Sequence, residues 1–441
     1  MSPFAVKAIQ LLLSLSLLIV LHELGHFIPA KLFKTRVEKF YLFFDVKFSL
    51  FKKKIGDTVY GIGWLPLGGY VKIAGMIDES MDKEQMAGPP QPWEFRSKPT
   101  WQRLIIMLGG VTVNIIVGFV IYICILFFHG RYVTTNEDIP AGMWVAETFQ
   151  ELGFEDGDHI LNVNGEPMLN VTDVNMHLFL RGVETIEVEH KNGNVETINI
   201  PESIGMDMWK AGIMKPLLPK RIAVIDTVFP EFPAAKAGLL KGDKVLSVND
   251  KPINDWNDFT SEVIKHKSIE VKVIVLRDSQ SKEFTITTNE EGQIGVSNVA
   301  KELKIQETKV SYSFGESISA GVSFGYYKLR DYAAQFKYVF TKKGATQLGG
   351  FGAIANLFPG TWNWISFWET TALISIILAF MNILPIPALD GGHVMFLVYE
   401  MVTGRKPNDK FMEYAQMAGF FLLIALVLFA NGNDIYRAIF K

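Results

Sequence analysis

The sequence predicts a polytopic α-helical membrane protein of about four transmembrane helices, with a membrane-associated β element and two extracytoplasmic β-rich domains. Three observations predict this class. Four apolar stretches are long enough to cross a bilayer, a basic loop separates the first two, and a β-rich segment in the middle of the chain is duplicated. The 441 residues are 49% hydrophobic, which is high for a soluble protein and fits a membrane protein with soluble insertions.

The four apolar stretches are predicted to span the membrane, because about 20 helical residues cross a bilayer. They cover Phe4–Phe33, Leu104–Phe128, Trp364–Leu384 and Met412–Phe429. Lysines and arginines crowd the loop after the first stretch and the loop before the last, a pattern typical of the cytoplasmic side. The N-terminus and the long middle region then lie outside the cytoplasm. No small-residue cleavage site follows the first stretch, which predicts a retained anchor.

Composition argues against two other classes of protein. The formal net charge is -3, and the basic residues flank apolar stretches instead of forming a basic surface with aromatics, so no nucleic-acid partner is expected. Cys124, inside an apolar stretch, is the single cysteine of the sequence. An intrachain disulfide needs two cysteines and is therefore excluded.

The first apolar stretch carries an H-E-x-x-H sequence at His22, Glu23 and His26. With 3.6 residues per turn, His22 and His26 lie on one helix face, where two imidazoles can bind one Zn²⁺ beside the Glu23 carboxylate. The alternative is a helix whose two histidines are satisfied within the core. The motif therefore needs a second observation.

The second observation lies near the end of the third apolar stretch, in the sequence FMNILPIPALDGGH. Pro385 and Pro387 break the helix, and Asp390 follows at a depth where an unpaired carboxylate is costly. A catalytic zinc takes three protein ligands and a water, so His22, His26 and Asp390 complete the set. Another divalent ion is the alternative occupant. The nearby His393 is predicted to support the site and not to bind the metal.

A β element is predicted between the first two spans. The sequence VYGIGWLPLGGYVKI, Val59–Ile73, alternates β-type residues with Gly, Pro and aromatics, which predicts a hairpin or a looped sheet beside the first helix. A strand edge there could accept an extended peptide, which makes Gly61, Gly63, Gly68 and Gly69 candidate peptide-binding residues. The alternative is an ordinary surface hairpin that touches lipid headgroups.

The middle region contains an internal duplication. Leu152–Phe154 and Gly157–Pro167 return as Ala237–Leu239 and Gly242–Pro252, with the same offset of 85 (238 − 153 and 242 − 157). A period this long indicates two copies of a small domain, since solenoid repeats are shorter. Each copy places a Gly-Asp turn before a β-rich run, followed by a helical stretch and further strands.

Both copies resemble the PDZ family, whose G-h-x-x-G-D-x-I-x-x-V-N-G segment they match, with Asp250 in place of the last glycine of the second copy. The resemblance implies two PDZ domains that hold peptides by strand addition, with Ala211–Met214 and Ile294–Val296 as the peptide-binding loops. The alternative is that one or both copies only pack against or shield the membrane part, because fold does not fix function.

After the second copy, the apolar spacing over Phe314–Phe340 predicts an amphipathic helix that lies on the outer membrane surface or covers a core surface. The predicted domains follow the chain. They are the first transmembrane helix with H-E-x-x-H (1–35), a cytoplasmic-side loop with the β-hairpin (36–100), the second transmembrane helix (101–129), PDZ domain 1 (130–216), PDZ domain 2 (217–303), the amphipathic helix and linker (304–348), the third transmembrane region with N-x-x-P-x-P-x-L-D-G-G (349–390), and a cytoplasmic loop with the fourth helix (391–441).

The two motifs with tandem PDZ domains between them resemble the site-2 protease (M50) family of intramembrane zinc metalloproteases, in its regulator-of-sigma-E protease type. The resemblance covers essentially the whole chain. It implies a zinc metalloendopeptidase in which His22, His26 and Asp390 bind zinc and Glu23 is the general base. It also implies that Asn382 holds the substrate backbone, although this amide could instead hydrogen-bond its own broken helix.

The resemblance further implies the substrates and the location of the protein, and the chain departs from the family pattern at two places. The substrates would be single-pass membrane proteins of the anti-sigma-factor type, and remnant signal peptides, cut after trimming by a site-1 protease. The protein would lie in a bacterial inner membrane, with periplasmic PDZ domains and the zinc site near the cytoplasmic side. The chain has Gly350-Phe351-Gly352 where relatives carry Gly-Pro, and it lacks glycines common over residues 40–48.

Two other classes of function compete with a protease. A catalytically inactive PDZ membrane scaffold would not need the Glu23 carboxylate, and a transporter would be expected to show inverted symmetry in its motifs.

Overall fold

The computed structural model describes residues 1–66, 68–76, 88–298 and 307–440, which belong to two compact units. Met1–Gly130 and Ser311–Lys441 form the first, here called the membrane unit, and Arg131–Val310 form the second, the β unit. The predicted boundary between residues 303 and 304 lies outside the described residues.

Two long helices begin the membrane unit. Helix α1 spans Pro3–Leu32 and begins after Ser2, whose hydroxyl accepts the Ala5 N–H. Helix α2 spans Thr100–His129. The backbones of Gly25 in α1 and Gly109 in α2 touch, so a side chain at either position would clash with the other helix. This close approach brings the H-E-x-x-H segment of α1 against α2.

A four-stranded sheet lies between α1 and α2 in sequence. Its strands are β1 Val37–Leu42, β2 Phe44–Ile55, β3 Thr58–Leu65 and β4 Tyr70–Ile73. The order β2-β3-β1-β4 makes β3 and β1 interior strands and β2 and β4 edge strands. Strand β1 pairs in parallel with β3 and antiparallel with β4.

Of the hairpin and the looped sheet predicted over Val59–Ile73, the topology excludes the hairpin and agrees with the looped sheet. Strand β1 lies between β3 and β4, so the two halves of that segment are not neighbours. The hairpin is formed instead by β2 and β3, around a turn at Gly56. The lysine-rich residues of β2, predicted as part of a loop, pair with β3, for example Lys52 with Gly61.

The β unit consists of short strands and short helices. Its helices are α3 Glu147–Gln150, α4 Val174–Leu180, α5 Ile204–Ala211, α6 Pro233–Ala237 and α7 Trp256–Val263. Its strands are β5 Arg131–Val133, β6 Met143–Val145, β7 His159–Val163, β8 Glu166–Pro167, β9 Thr185–Glu189, β10 Val195–Asn199, β11 Leu217–Pro219, β12 Thr227–Val228, β13 Lys244–Val248, β14 Lys251–Pro252, β15 Glu270–Arg277, β16 Gln280–Thr287, β17 Val296–Ser297 and β18 Thr308–Val310.

Two four-stranded sheets of the same strand order form the two copies. The first sheet has the order β10-β9-β7-β8 and the second β16-β15-β13-β14. Their first strands begin 85 residues apart (244 − 159), which is the offset of the sequence repeat. Each copy has its own apolar core, with Ile160, Leu178 and Ile186 in the first and their equivalents Val245, Val263 and Val271 in the second. Within the described part of the chain, three two-stranded pairings complete the β unit, β6 with β11, β12 with β17 and β5 with β18.

The chain then returns to the membrane unit. Its remaining helices are α8 Phe314–Val339, α9 Lys342–Gln347, α10 Phe351–Ala355, α11 Trp364–Ile383, α12 Asp390–Thr403 and α13 Asp409–Phe440. Among the described residues, α1, α2, α11 and α13 are the four helices long and apolar enough to cross a membrane. The predicted number of spanning helices is therefore confirmed.

Helix α8 is the predicted amphipathic helix, and it covers other helices. A capping box of Ser313 and Glu316 begins it. Gly321 lies against Ile123 of α2, and Phe336 contacts the ring of Phe380 in α11. Of the two predicted placements, the structure supports the second, because α8 covers a surface formed by α2 and α11.

Candidate metal centre

Two histidines of α1 point their ring nitrogens to one place. His22 and His26 lie one turn apart, with Nε2 atoms 3.3 Å from each other. His26 is buried and His22 is half-buried. The helix period of the H-E-x-x-H segment is enough to produce this arrangement.

Asp390 joins the two histidines from the start of α12. Its Oδ2 lies 3.4 Å from Nε2 of His22 and 3.4 Å from Nε2 of His26. Gly391 and Gly392 pack so closely on the backbone of Ile383–Pro387 that neither position has room for a side chain. The chain therefore folds tightly back after α11 and directs Asp390 to α1.

The three side chains fit a zinc ion. Among the described residues, Oδ2 of Asp390 is a buried oxygen with no hydrogen-bond partner, which is costly unless a cation binds there. A tetrahedral ion with ligand bonds of about 2.0–2.1 Å separates its ligands by about 3.3–3.4 Å. The three donor atoms of His22, His26 and Asp390 have these separations.

Helix α2 contacts the other ring nitrogen of each histidine. His26 Nδ1 lies 2.8 Å from the Ile106 carbonyl, and His22 Nδ1 lies 3.2 Å from the Asn114 side-chain nitrogen. Gly110 lies between these two positions on α2, and a Cβ there would clash with both rings. Donation from His26 Nδ1 to a carbonyl leaves its Nε2 lone pair for a metal.

Glu23 and strand β4 line the same cavity as the three side chains. The cavity has a volume of about 530 Å³ and includes His22, His26 and Asp390. The backbone amide of Val71 in β4 faces the Glu23 carboxylate. Strand β4 is an edge strand, so its outer edge lies beside the Glu23 carboxylate and the three metal-ligand side chains. This arrangement suits hydrolysis of an extended peptide.

The comparison with protein families decides the class. The model of peptidase family M50 matches residues 10–426. The chain belongs to peptidase family M50. Members of this family are zinc-dependent proteases, so the chain is a zinc metalloprotease. The resemblance found in the motifs, the enzyme class and the zinc cofactor are confirmed.

Curated relatives match this M50 peptidase over nearly its full length. The "Regulator of sigma E protease" of Haemophilus influenzae is 29% identical and covers 97% of this chain and 98% of its own. A "Putative zinc metalloprotease" of Vibrio cholerae is 27% identical, covering 97% of this chain and 98% of its own. One of the same description from Campylobacter jejuni is 27% identical, covering 99% of this chain and 95% of its own.

The predicted glycines do not all reach the cavity of the M50 peptidase. Gly69 lines it. Gly68 lies against the Phe44 ring, outside the cavity lining. Gly61 and Gly63 lie on β3, where Gly61 packs on Tyr41. Both edges of β3 are paired, so these two glycines cannot offer a strand edge to a peptide, which corrects that part of the prediction.

Asn382 lies in the last turn of α11, and it is not among the residues that line the cavity. Its substrate-binding role stays a prediction. Asn114 is not among the predicted site residues, although a lone amide within an apolar helix is a signal of function. Lys39, Asp45 and Tyr70 in the cavity wall are not among them either, because no local pattern indicates these residues.

A second His–carboxylate cluster lies in the β unit of the M50 peptidase. His190 Nδ1 lies 2.7 Å from Asp158 Oδ1, and its Nε2 lies 3.2 Å from Glu196 Oε2. Oδ2 of Asp158 accepts the Glu155 backbone N–H at 2.8 Å. The hydrogen bond to Asp158 raises the pKa of the His190 imidazolium, which indicates an ion pair within the fold.

The second copy uses a different cation for the same carboxylate. Asp243, the counterpart of Asp158 (243 − 158 = 85), accepts two hydrogen bonds of 2.6 Å from Arg277. It also accepts the Leu240 backbone N–H at 2.9 Å. A permanent cation thus takes the place of a titratable one.

Proposed function

We propose that this M50 peptidase hydrolyses peptide bonds within or near the transmembrane segment of single-pass membrane proteins. One observation carries the proposal. The metal-ligand set of His22, His26 and Asp390 lies on and beside helices able to cross a membrane, and it shares one cavity with Glu23 and the edge strand β4.

His22, His26 and Asp390 would hold the zinc, which would supply a Lewis acid for the scissile carbonyl and lower the pKa of the attacking water. Glu23 takes a proton from that water as general base and passes it to the leaving amine. A helix hides its carbonyls in internal hydrogen bonds, so the substrate has to unwind before hydrolysis. The outer edge of β4 then pairs with the unwound strand, and Gly69, which packs against Ile19 and the Tyr41 carbonyl, holds β4 beside Glu23.

Asn382 is proposed to hold the substrate backbone from the side of α11. Its position one turn before Pro385 supports this role, because the helix ends there and an amide near the break can bond an extended peptide. Gly68 is proposed to support the turn into β4.

The two copies of the β unit are proposed to be PDZ domains that dock or filter substrates by size. The second copy supports peptide binding, because a cleft of about 450 Å³ lies along α7 and is lined by Phe259, Val263 and Ile294–Val296. In the first copy, α5 packs on α4, with Phe179 stacked on Trp209. Helix α4 of the first copy is covered by another helix, whereas α7 of the second copy borders a cleft, so the second copy is the better candidate for a bound peptide.

The proposed substrates are membrane-bound anti-sigma factors and remnant signal peptides, trimmed beforehand by a site-1 protease. The name of the Haemophilus influenzae relative supports this substrate class. The proposed location is a bacterial inner membrane, with the β unit in the periplasm and the zinc site near the cytoplasmic side. The basic loops after α1 and before α13 support this orientation.

Reconstitution with a single-pass reporter tests the proposal. We expect the protein to cut a reporter whose extracytoplasmic domain has been truncated, and to cut the full-length reporter at least about 10-fold more slowly. His26→Ala is expected to abolish cleavage of both reporters, since one zinc ligand is lost. Zinc-loaded wild-type protein that cuts neither reporter would favour the scaffold. Cleavage by His26→Ala at the wild-type rate would contradict the proposed metal site.

A further inference from the structure

Asn114 is a buried amide with an unexplained oxygen. It lies on α2 with no exposed surface, and among the described residues its Oδ1 has no hydrogen-bond partner. Its side-chain nitrogen lies 3.2 Å from Nδ1 of His22. A buried polar atom without a partner costs about 1–3 kcal/mol, so the orientation of this amide needs an explanation.

The tautomer of His22 supplies this explanation. Nε2 of His22 points to the other two donor atoms, and an imidazole that binds a metal through Nε2 carries its proton on Nδ1. An Nδ1–H cannot donate to the NH₂ group of Asn114, since both are donors. The two ends of an amide have nearly the same shape, so a half-turn about the Cβ–Cγ bond places the oxygen against Nδ1. That rotation pairs the buried oxygen with Nδ1–H and turns the NH₂ group, which cannot pair with Nδ1–H, into the place of the oxygen.

Helix α2 thus serves both histidines from one face. Ile106, Gly110 and Asn114 are spaced by four residues, so they lie one above another. The Ile106 carbonyl accepts from His26 at 2.8 Å, and Gly110 gives the rings room. The hydroxyl of Ser375 donates to the Asn114 backbone carbonyl at 2.7 Å and so connects α2 to α11.

We infer that Asn114 is a positioning residue that accepts a hydrogen bond from His22 Nδ1–H and fixes the ring and its tautomer for zinc. This inference rests on the proposed metal site. The side chain does not touch the substrate, so its effect should appear in zinc affinity even when no peptide is cut.

Zinc affinity of the full chain in detergent, measured against a chromophoric chelator, tests the inference. The Glu23→Gln background prevents self-cleavage. We expect Asn114→Leu to weaken zinc binding about 10–100-fold, because the side chain keeps its size and loses the acceptor. Asn114→Asp restores an acceptor, and its affinity is expected within about threefold of the parent or tighter. Gln10→Leu, at a buried amide of α1 that donates to the carbonyls of Val6 and Pro359, is the matched control and should leave zinc affinity unchanged.

The outcomes separate this inference from the proposed metal site. If His22→Ala does not weaken zinc binding, the metal site itself is wrong. If His22→Ala weakens it but Asn114→Leu binds zinc as tightly as the parent, the role of Asn114 is wrong. If Asn114→Leu does not fold, Asn114→Ala takes its place with the same expectation. An Asn114→Asp protein as weak as Asn114→Leu would also overturn the inference.

Discussion

Two His–carboxylate clusters in this M50 peptidase look alike by composition and differ in their hydrogen bonds. In the membrane unit, His22, His26 and Asp390 place three ligand atoms within 4.8 Å of one another, and in the β unit Glu155, Asp158 and His190 do the same. By the types and spacing of their ligand atoms alone, the two clusters are equal. Their satisfied and unsatisfied atoms separate them.

The difference lies in what each buried carboxylate accepts. Oδ2 of Asp390 is buried without a hydrogen bond among the described residues. Both oxygens of Asp158 are satisfied, one by His190 and one by the Glu155 backbone N–H. A cluster whose buried oxygen makes no hydrogen bond indicates a metal site, whereas a cluster with all its hydrogen bonds made is an ion pair.

The largest effect expected from this difference is on zinc content. Asp390→Asn removes a charged ligand and should weaken zinc binding by about 100-fold or more, because a few ligands share about 10–16 kcal/mol of binding free energy. Asp158→Asn is the matched change in the other cluster and should leave zinc stoichiometry and cleavage unchanged. Elemental analysis of both purified proteins checks this. Zinc loss in Asp158→Asn would contradict the difference proposed between the two clusters.

Stability of the β unit should show the second largest effect. His190→Ala leaves the fully buried Asp158 without its cation, which should destabilise the β unit by about 3 kcal/mol. Hydrogen exchange of the full chain across a urea series measures this. Glu196→Gln, at a half-exposed carboxylate, is the control and should cost less than about 0.5 kcal/mol. Equal protection in His190→Ala and wild type would mean that the ion pair contributes nothing.

A smaller effect is expected at Gly69, where the membrane unit has no room for a side chain. A Cβ there would approach the Tyr41 carbonyl to 2.7 Å and Ile19 to 2.5 Å, so Gly69→Ala should displace β4 from Glu23. We expect cleavage about 10-fold slower, at unchanged zinc content, because peptide position matters at the scale of 1 Å. Gly432→Ala, at a position with open space, is the control. Equal rates for both variants would remove β4 as the substrate holder.

The smallest effect is a pH dependence confined to one copy of the β unit. The pKa of His190 is raised by its hydrogen bond to Asp158, and burial raises the pKa of the Asp158 carboxyl, so the folded state holds protons more tightly. The stability from His190 is complete below its ordinary pKa of 6.5 and is lost as pH rises through the raised value. The Asp243–Arg277 pair should show no such loss.

Hydrogen exchange of peptides from the two copies between pH 6 and pH 9, corrected for the intrinsic exchange rate, tests this. His190→Ala should flatten the profile of the first copy. The same slope in both copies would place the titration elsewhere.

Local patterns predicted much of the molecule. Hydropathy gave the four spanning helices, the helix period gave the facing of His22 and His26, and the constant offset gave two sheets of one topology. Long-range pairings were beyond such patterns. No local pattern shows that strand β1 lies between β3 and β4, because strand order depends on contacts across the whole sheet. For this reason Gly61 and Gly63 were placed at an edge that they do not form.

The partners of the site were also long-range. The contact of Asn114 with His22 joins residues 92 positions apart, and that of His190 with Asp158 joins residues 32 positions apart. Asp390 was found because a carboxylate after an apolar helix is costly and demands a cation. Asn114 offered a weaker signal of the same kind, since a neutral amide costs less to bury.

Single-turnover cleavage by Glu23→Gln, with zinc measured in the same sample, tests the central claim most directly. The claim is that the α1 site carries the reaction, with Glu23 as its base. We predict one zinc per chain and cleavage slower by about 10²–10⁴-fold, the range for loss of a general base. Glu155→Gln should cleave at the wild-type rate. Cleavage by zinc-loaded Glu23→Gln at the wild-type rate would contradict the claim.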